Sequence, residues 1–104
     1  MYIINIQKVS RIKLSKHDKY VKELCGKIKD EYDSISEHVV IRNQKCSLGE
    51  IDVLAKKGDK VDLYEVKCSH RIIKAKHQLR RLRKYVKFEN AFFYCGTSGL
   101  LFVV

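Results

Sequence analysis

Residues 49–68 constrain the fold of this chain more than any other stretch. Gly49-Glu50-Ile51-Asp52-Val53-Leu54 and Leu63-Tyr64-Glu65-Val66-Lys67 are strand-like runs on either side of Gly58-Asp59. A Gly-Asp pair between two such runs predicts a tight hairpin turn. A two- or four-residue loop centred there opposes Asp52 to Glu65, Glu50 to Lys67, Ile51 to Val66 and Val53 to Tyr64. Alternation along each strand then puts Glu50, Asp52, Glu65 and Lys67 on one face, beside Leu54 and Leu63. A three-residue loop would send the two acids to opposite faces.

Around the hairpin the hydrophobic period changes in a regular order. Tyr20, Val21, Leu24, Cys25, Ile28 and Tyr32 recur at three- and four-residue steps behind Ser15, a suitable N-cap, which predicts a helix over 15–33. Strands are expected at 37–46, 49–57 and 61–68. Ile72, Ala75, Leu79, Leu82 and Val86 form one stripe of a second helix at 70–87. Two apolar strands, 91–95 and 99–104, follow around Gly96-Thr97-Ser98-Gly99, and residues 2–8 suit a short strand or ordered arm. The 104 residues and 45% apolar content suit one domain spanning 1–104 with a single core. The expected class is α/β: a mixed sheet with an antiparallel three-strand meander, flanked by two helices, in the order α-β-β-β-α-β-β.

Two carboxylates directly opposed across strands repel each other. Because the flanking strands are apolar on both faces, the pair needs a cation between its members, or one acid must keep a proton. Mg²⁺ suits the position, since it takes oxygen ligands and commonly binds one or two carboxylates plus waters and a substrate phosphate. A metal held there activates water and neutralises charge developing on a phosphate. Lys67, two residues from Glu65, is placed to orient that water or to stabilise the phosphorane. The competing reading is a solvated sheet face on which Lys67 screens Glu65 and Glu50.

The partner class follows from charge. Lys and Arg number 22 against 12 acids, a net +10, which favours a polyanion. The apolar runs Ala91–Cys95 and Leu100–Val104 are far shorter than the ~20 residues that span a bilayer, so no membrane partner is expected. The opening MYIINIQKV has no leader pattern. Cys25, Cys46, Cys68 and Cys95 stand singly, without paired zinc spacing, and read as buried thiols of an intracellular protein.

Asp52, with Glu65-Val66-Lys67 on the next strand, resembles the PD-(D/E)xK nuclease superfamily in its GEID…EVK form. The helix, meander and second helix match that superfamily's restriction endonuclease-like core over about residues 15–95. The likeness is nearest to archaeal Holliday junction resolvase-like members and to small bacterial endonuclease-like proteins. Ile51 stands where the name-giving Pro would be. The resemblance implies a Mg²⁺-dependent DNA endonuclease, with Mn²⁺ able to substitute, acting on branched or duplex DNA. It implies that Asp52 and Glu65 bind metal, that the Val66 carbonyl adds a ligand and that Lys67 supports the water. Members often carry a further acid on the first helix, and Glu23 matches best. The helix after the EVK strand borders the active site in such proteins, which singles out Gln78 and Lys74. Glu50 is either an accessory ligand or a partner for Lys67.

Between His70 and Lys87 lie Arg71, Lys74, Lys76, Arg80, Arg81, Arg83, Lys84 and Lys87, with no acid. A solvated helix usually mixes signs, so Lys74, Arg80, Arg81, Arg83 and Lys84 are expected to track phosphates. The four histidines, His17, His38, His70 and His77, do not cluster as zinc ligands and read as surface or satisfied residues. Phe92, Phe93, Tyr94, Leu101 and Phe102 read as core. The apolar C-terminal strand and paired cutting by resolvases point to a homodimer. The alternative to the enzyme is a nucleic-acid-binding module that keeps the nuclease fold and does not cut.

Overall fold

The computed structural model describes residues 3–6 and 14–104. Its elements are β1 (Ile3–Ile6), α1 (Lys16–Ile28, with a 3-10 turn at Lys29–Glu31), β2 (Ser34–Arg42), β3 (Ser47–Lys57), β4 (Lys60–Lys67), α2 (Ile72–Leu82), β5 (Asn90–Cys95) and β6 (Leu100–Val103). The expected arm at 2–8 falls on β1, and its remaining residues lie outside the described ones. The fold is mixed α/β, as expected. All six strands join one sheet in the order β1-β2-β3-β4-β5-β6. Neighbours run antiparallel except β4 and β5, which are parallel and are connected through α2.

Each helix covers one face of the sheet. Ser15 caps α1 by accepting the Asp18 backbone N–H at 3.1 Å, and the buried stripe Val21, Leu24 and Ile28 packs on Val53, Ala55, Tyr64 and Val66. Leu79 and Leu82 of α2 pack on Val39, Ile41, Ile51, Leu54 and Leu63. Leu63 and Tyr64 are consecutive strand residues in different clusters, so the two helices lie on opposite faces. No helix among the described residues is long and apolar enough to cross a membrane.

The hairpin turns as expected at Gly58-Asp59, with Gly58 at φ 59°, and pairs Leu54 with Leu63 and Val53 with Tyr64. There the ladder stops. The expected pairs Asp52–Glu65, Ile51–Val66 and Glu50–Lys67 lie beyond its last rung. The face assignment also needs correction. Ile35, Val53 and Ala55 face α1, whereas Val39, Ile41 and Ile51 face α2. Strict alternation would keep residues 51, 53 and 55 together, so β3 changes face at Asp52 while staying in register with β2. The neighbouring strand β2 changes face at the same level without leaving register, since Glu37 pairs with Val53 and Val39 with Ile51, and His38 between them adopts φ 53°. A left-handed residue inside a strand is how a sheet absorbs such a change of face, at a cost in backbone strain.

Two further expectations change. Cys95 is buried, but Cys46 is exposed in the β2–β3 connection, where Asn43 Oδ1 accepts the Lys45 and Cys46 N–H groups at 2.8 Å each. All four cysteines are free thiols. Strand β6 is an edge strand, so Leu101 is exposed instead of core, while Phe102 stacks on Phe93 at 5.7 Å.

Candidate active site

The change of face at Asp52 opens the hairpin just where its two acids lie. Asp52 and Glu65 are 6% and 1% exposed. Asp52 Oδ2 accepts the Val66 backbone N–H at 2.8 Å, so a carboxylate stands in for a ladder carbonyl. Glu65 Oε2 meets the Lys67 ammonium at 3.1 Å, while Glu65 Oε1 is buried without a hydrogen-bond partner. Burial, reinforced by the Asp52 charge, pushes the Glu65 carboxyl up to about 8, against the opposing pull of Lys67. An acid in that state either keeps a proton or awaits a cation. Lys67 also donates to Gln78 Oε1 at 3.3 Å, which ties the β4 strand end to α2.

The helix residue that reaches this pair is His17. Its Nε2 donates to the Val66 carbonyl at 2.9 Å and lies 3.5 Å from Asp52 Oδ2. The Asp52 carboxylate raises the imidazole to about 9, against the effect of burial. Beyond it runs an alternation of imidazole and carboxylate. His17 Nδ1 is 3.5 Å from Asp18 Oδ1, which is 3.4 Å from His38 Nε2, and His38 Nδ1 is 3.3 Å from Glu50 Oε1. His17 and His38, expected as surface or satisfied residues, therefore stand in one row of alternating imidazoles and carboxylates that ends at Asp52.

Glu23 is elsewhere. It pairs with the Tyr94 hydroxyl and lies 3.6 Å from Lys27 Nζ. At about 1.5 Å of rise per helical residue, the six residues from His17 to Glu23 carry it roughly 9 Å down α1. A legible signal for His17 existed: it stands four residues before Val21 and seven before Leu24, at the head of the buried stripe. An imidazole heading an apolar stripe is aimed at the sheet. Glu50 contacts His38, and the partner of Lys67 is Glu65, so Glu50 does not serve as the Lys67 partner. The Val66 carbonyl, expected as a metal ligand, is engaged by His17.

A cleft of about 360 Å³ opens beside Glu50 and Lys67 and is walled by Lys74, His77, Gln78 and Arg81 of α2. Arg81 is held there by donating to the Leu48 carbonyl at 3.1 Å. Arg80 and Arg83 do not face this cleft. They line a second groove of about 280 Å³ with Lys76, Phe88 and Val104, and the Arg83 guanidinium lies 4.4 Å from the Phe88 ring centroid. Lys84 is exposed and lines neither. Among the described residues, no three His, Cys, Asp or Glu side chains converge as metal ligands. No family model, curated protein or solved structure matches this chain.

Proposed function

We propose that this chain is a Mg²⁺-dependent DNA endonuclease with a restriction endonuclease-like core, cutting branched or duplex DNA in the manner of Holliday junction resolvase-like enzymes. One observation carries the reading: two almost fully buried carboxylates, Asp52 and Glu65, act on each other behind Lys67, which pairs with Glu65 and lines the basic cleft, and Glu65 Oε1 has no hydrogen-bond partner. Burying an acid beside another acid is unfavourable without a cation. The unpartnered oxygen fits a hard cation, and two carboxylates are a usual protein share of a Mg²⁺ site, with water and phosphate completing it.

Asp52 and Glu65 would hold the ion, which supplies water activation and charge neutralisation at the phosphate. The chain's own residues do the rest. Lys67 has three N–H donors, of which Glu65 and Gln78 take two, leaving one for a water or a phosphate oxygen. His17 holds the Val66 carbonyl and sets a positive charge beside the Asp52 carboxylate. Lys74 and Arg81 supply positive charge along the cleft wall for the phosphates on either side of the cut.

The second reading is a nucleic-acid-binding module that does not cut. It is favoured by His17, whose imidazolium lies between Asp52 and the Val66 carbonyl and could neutralise the acids without a metal. Incubation with four-way, flapped, single-stranded and plain duplex DNA, with Mg²⁺, with Mn²⁺ and with chelator, separates the two. Metal-dependent cleavage that disappears in Asp52→Asn supports the enzyme. Binding without cleavage of any substrate supports the module.

A further inference from the structure

Helix α2 differs on its two flanks. Ala75, Leu79 and Leu82 are buried against the sheet. At about 100° per residue, Lys74 and Arg81 project from one flank, where they wall the cleft beside Lys67. Lys76, Arg80 and Arg83 project from the other, where they line the second groove. Between the flanks runs an outward ridge on which Ile73 is 68% exposed. From Val66 to Phe88 there is no acid to offset any of these charges.

Two cationic rows separated by a helix need an anion with two matching rows. With its side chains an α-helix measures about 10–12 Å across. The major groove of B-DNA is about 12 Å wide, admits one helix and is walled on both sides by phosphates. An A-form RNA duplex presents a major groove too deep and narrow for a helix. A planar anionic surface would meet the ridge, where Ile73 stands, before it met both flanks.

We infer that α2 enters the major groove of B-form duplex DNA, with Lys74 and Arg81 on the phosphates of the strand beside Asp52 and Glu65, and Lys76, Arg80 and Arg83 on those of the opposite strand. Ile73 then faces base edges, where the thymine methyl is the apolar partner available. The stacking of Arg83 on Phe88 holds that guanidinium in place at the far wall. The inference rests on the DNA-binding part of the proposed function and is independent of its hydrolytic part.

The test is a fluorescence-anisotropy titration of the parent protein in chelator, where no cutting intervenes. Four ligands are compared: a plain DNA duplex, the same duplex with glucosylated 5-hydroxymethylcytosine crowding its major groove, the plain duplex with netropsin in its minor groove, and an RNA duplex of the same sequence. Glucosylation and the change to RNA should each weaken binding about tenfold or more, and netropsin should leave it unchanged. Lys76→Gln and Arg80→Gln, both exposed, should each lower the slope of log affinity against log salt by about 0.9. Equal affinity for plain and glucosylated DNA, competition by netropsin, tight binding of duplex RNA, or unchanged slopes in both variants would each overturn the inference. A protein that binds as described and never cuts contradicts only the endonuclease reading; one that cuts and ignores glucosylation contradicts only this one.

Discussion

The Asp52 carboxylate accepts the backbone N–H of Val66 at 2.8 Å, just beyond the last ladder pair of the hairpin, Val53 with Tyr64. The same side chain is thus a structural acceptor and half of a proposed cation site. These duties separate by substitution. Asp52→Asn keeps a carbonyl oxygen for Val66, whereas Asp52→Ala leaves a buried N–H without an acceptor and should cost about 1–3 kcal/mol more, read from urea midpoints. Both variants should lose Mg²⁺-dependent cleavage. DNA affinity in chelator should hold or rise in Asp52→Asn, because the carboxylate no longer repels phosphate.

Stability without metal should fall as pH rises. Burial holds the Glu65 carboxyl up at about 8, and the Asp52 carboxylate holds His17 up at about 9. Both groups bind their proton more tightly folded than unfolded. Their contribution is complete below the ordinary pKa values and disappears as pH rises through about 8 and about 9. Melting temperatures in chelator should decline from pH 5 to pH 9, and Glu65→Gln should flatten the part below pH 8. Adding Mg²⁺ at pH 8 should raise the parent's melting temperature, by the equivalent of about 2.7 kcal/mol at a hundred times the dissociation constant, and leave Asp52→Asn unmoved.

Lys67→Met keeps the length of the side chain and removes the ammonium shared by Glu65 and Gln78. Single-turnover cleavage should slow by about 10²–10³-fold, the usual effect of deleting one positioned donor at a developing charge. Binding in chelator should change by no more than one phosphate contact. A variant that cuts at the parental rate would remove Lys67 from the chemistry.

Gly96 follows β5 beside Tyr20, and a Cβ there would overlap the Tyr20 ring. Gly96→Ala must displace the Tyr20 ring that α1 carries and should cost about 1–3 kcal/mol in denaturant unfolding, as overpacked sites do. Gly26→Ala, where a Cβ meets nothing, is the control and should be neutral or stabilising.

Where the chain repeats with a clean period, the sequence was enough. The Ser15 cap, both helices, the Gly58-Asp59 turn and the three-strand meander follow from local chemistry, and the structure has them. Boundaries moved where pairing or return bonds decided them. Ser34, Ile35 and Ser36 join β2 because Lys56, Ala55 and Leu54 lie opposite. Helix α2 closes at Leu82 because the Arg83 and Lys84 N–H groups return three residues back, to the Arg80 and Arg81 carbonyls, instead of four, with no Gly or Pro to announce it. The change of face at Asp52 was illegible, since Ile51, Val53, Leu54 and Ala55 are apolar whichever face they take. For His17 only the direction was legible, from its place at the head of the buried stripe, because its partners, Val66 and Asp52, are distant in sequence and meet it across the layers.

Strand β6 bears on how the molecule behaves in a tube. It is the outer strand of the sheet, and Leu100, Leu101 and Val103 are 52%, 45% and 78% exposed, with no Lys, Pro or bulge to deter another strand. At low ionic strength the net +10 keeps copies apart. Salt shortens the reach of that repulsion to about 10 Å at 0.1 M and about 3 Å at 1 M, and leaves the apolar edge untouched. Colloidal stability is therefore borrowed from charge, and the shelf life of a concentrated sample should shorten as salt is added.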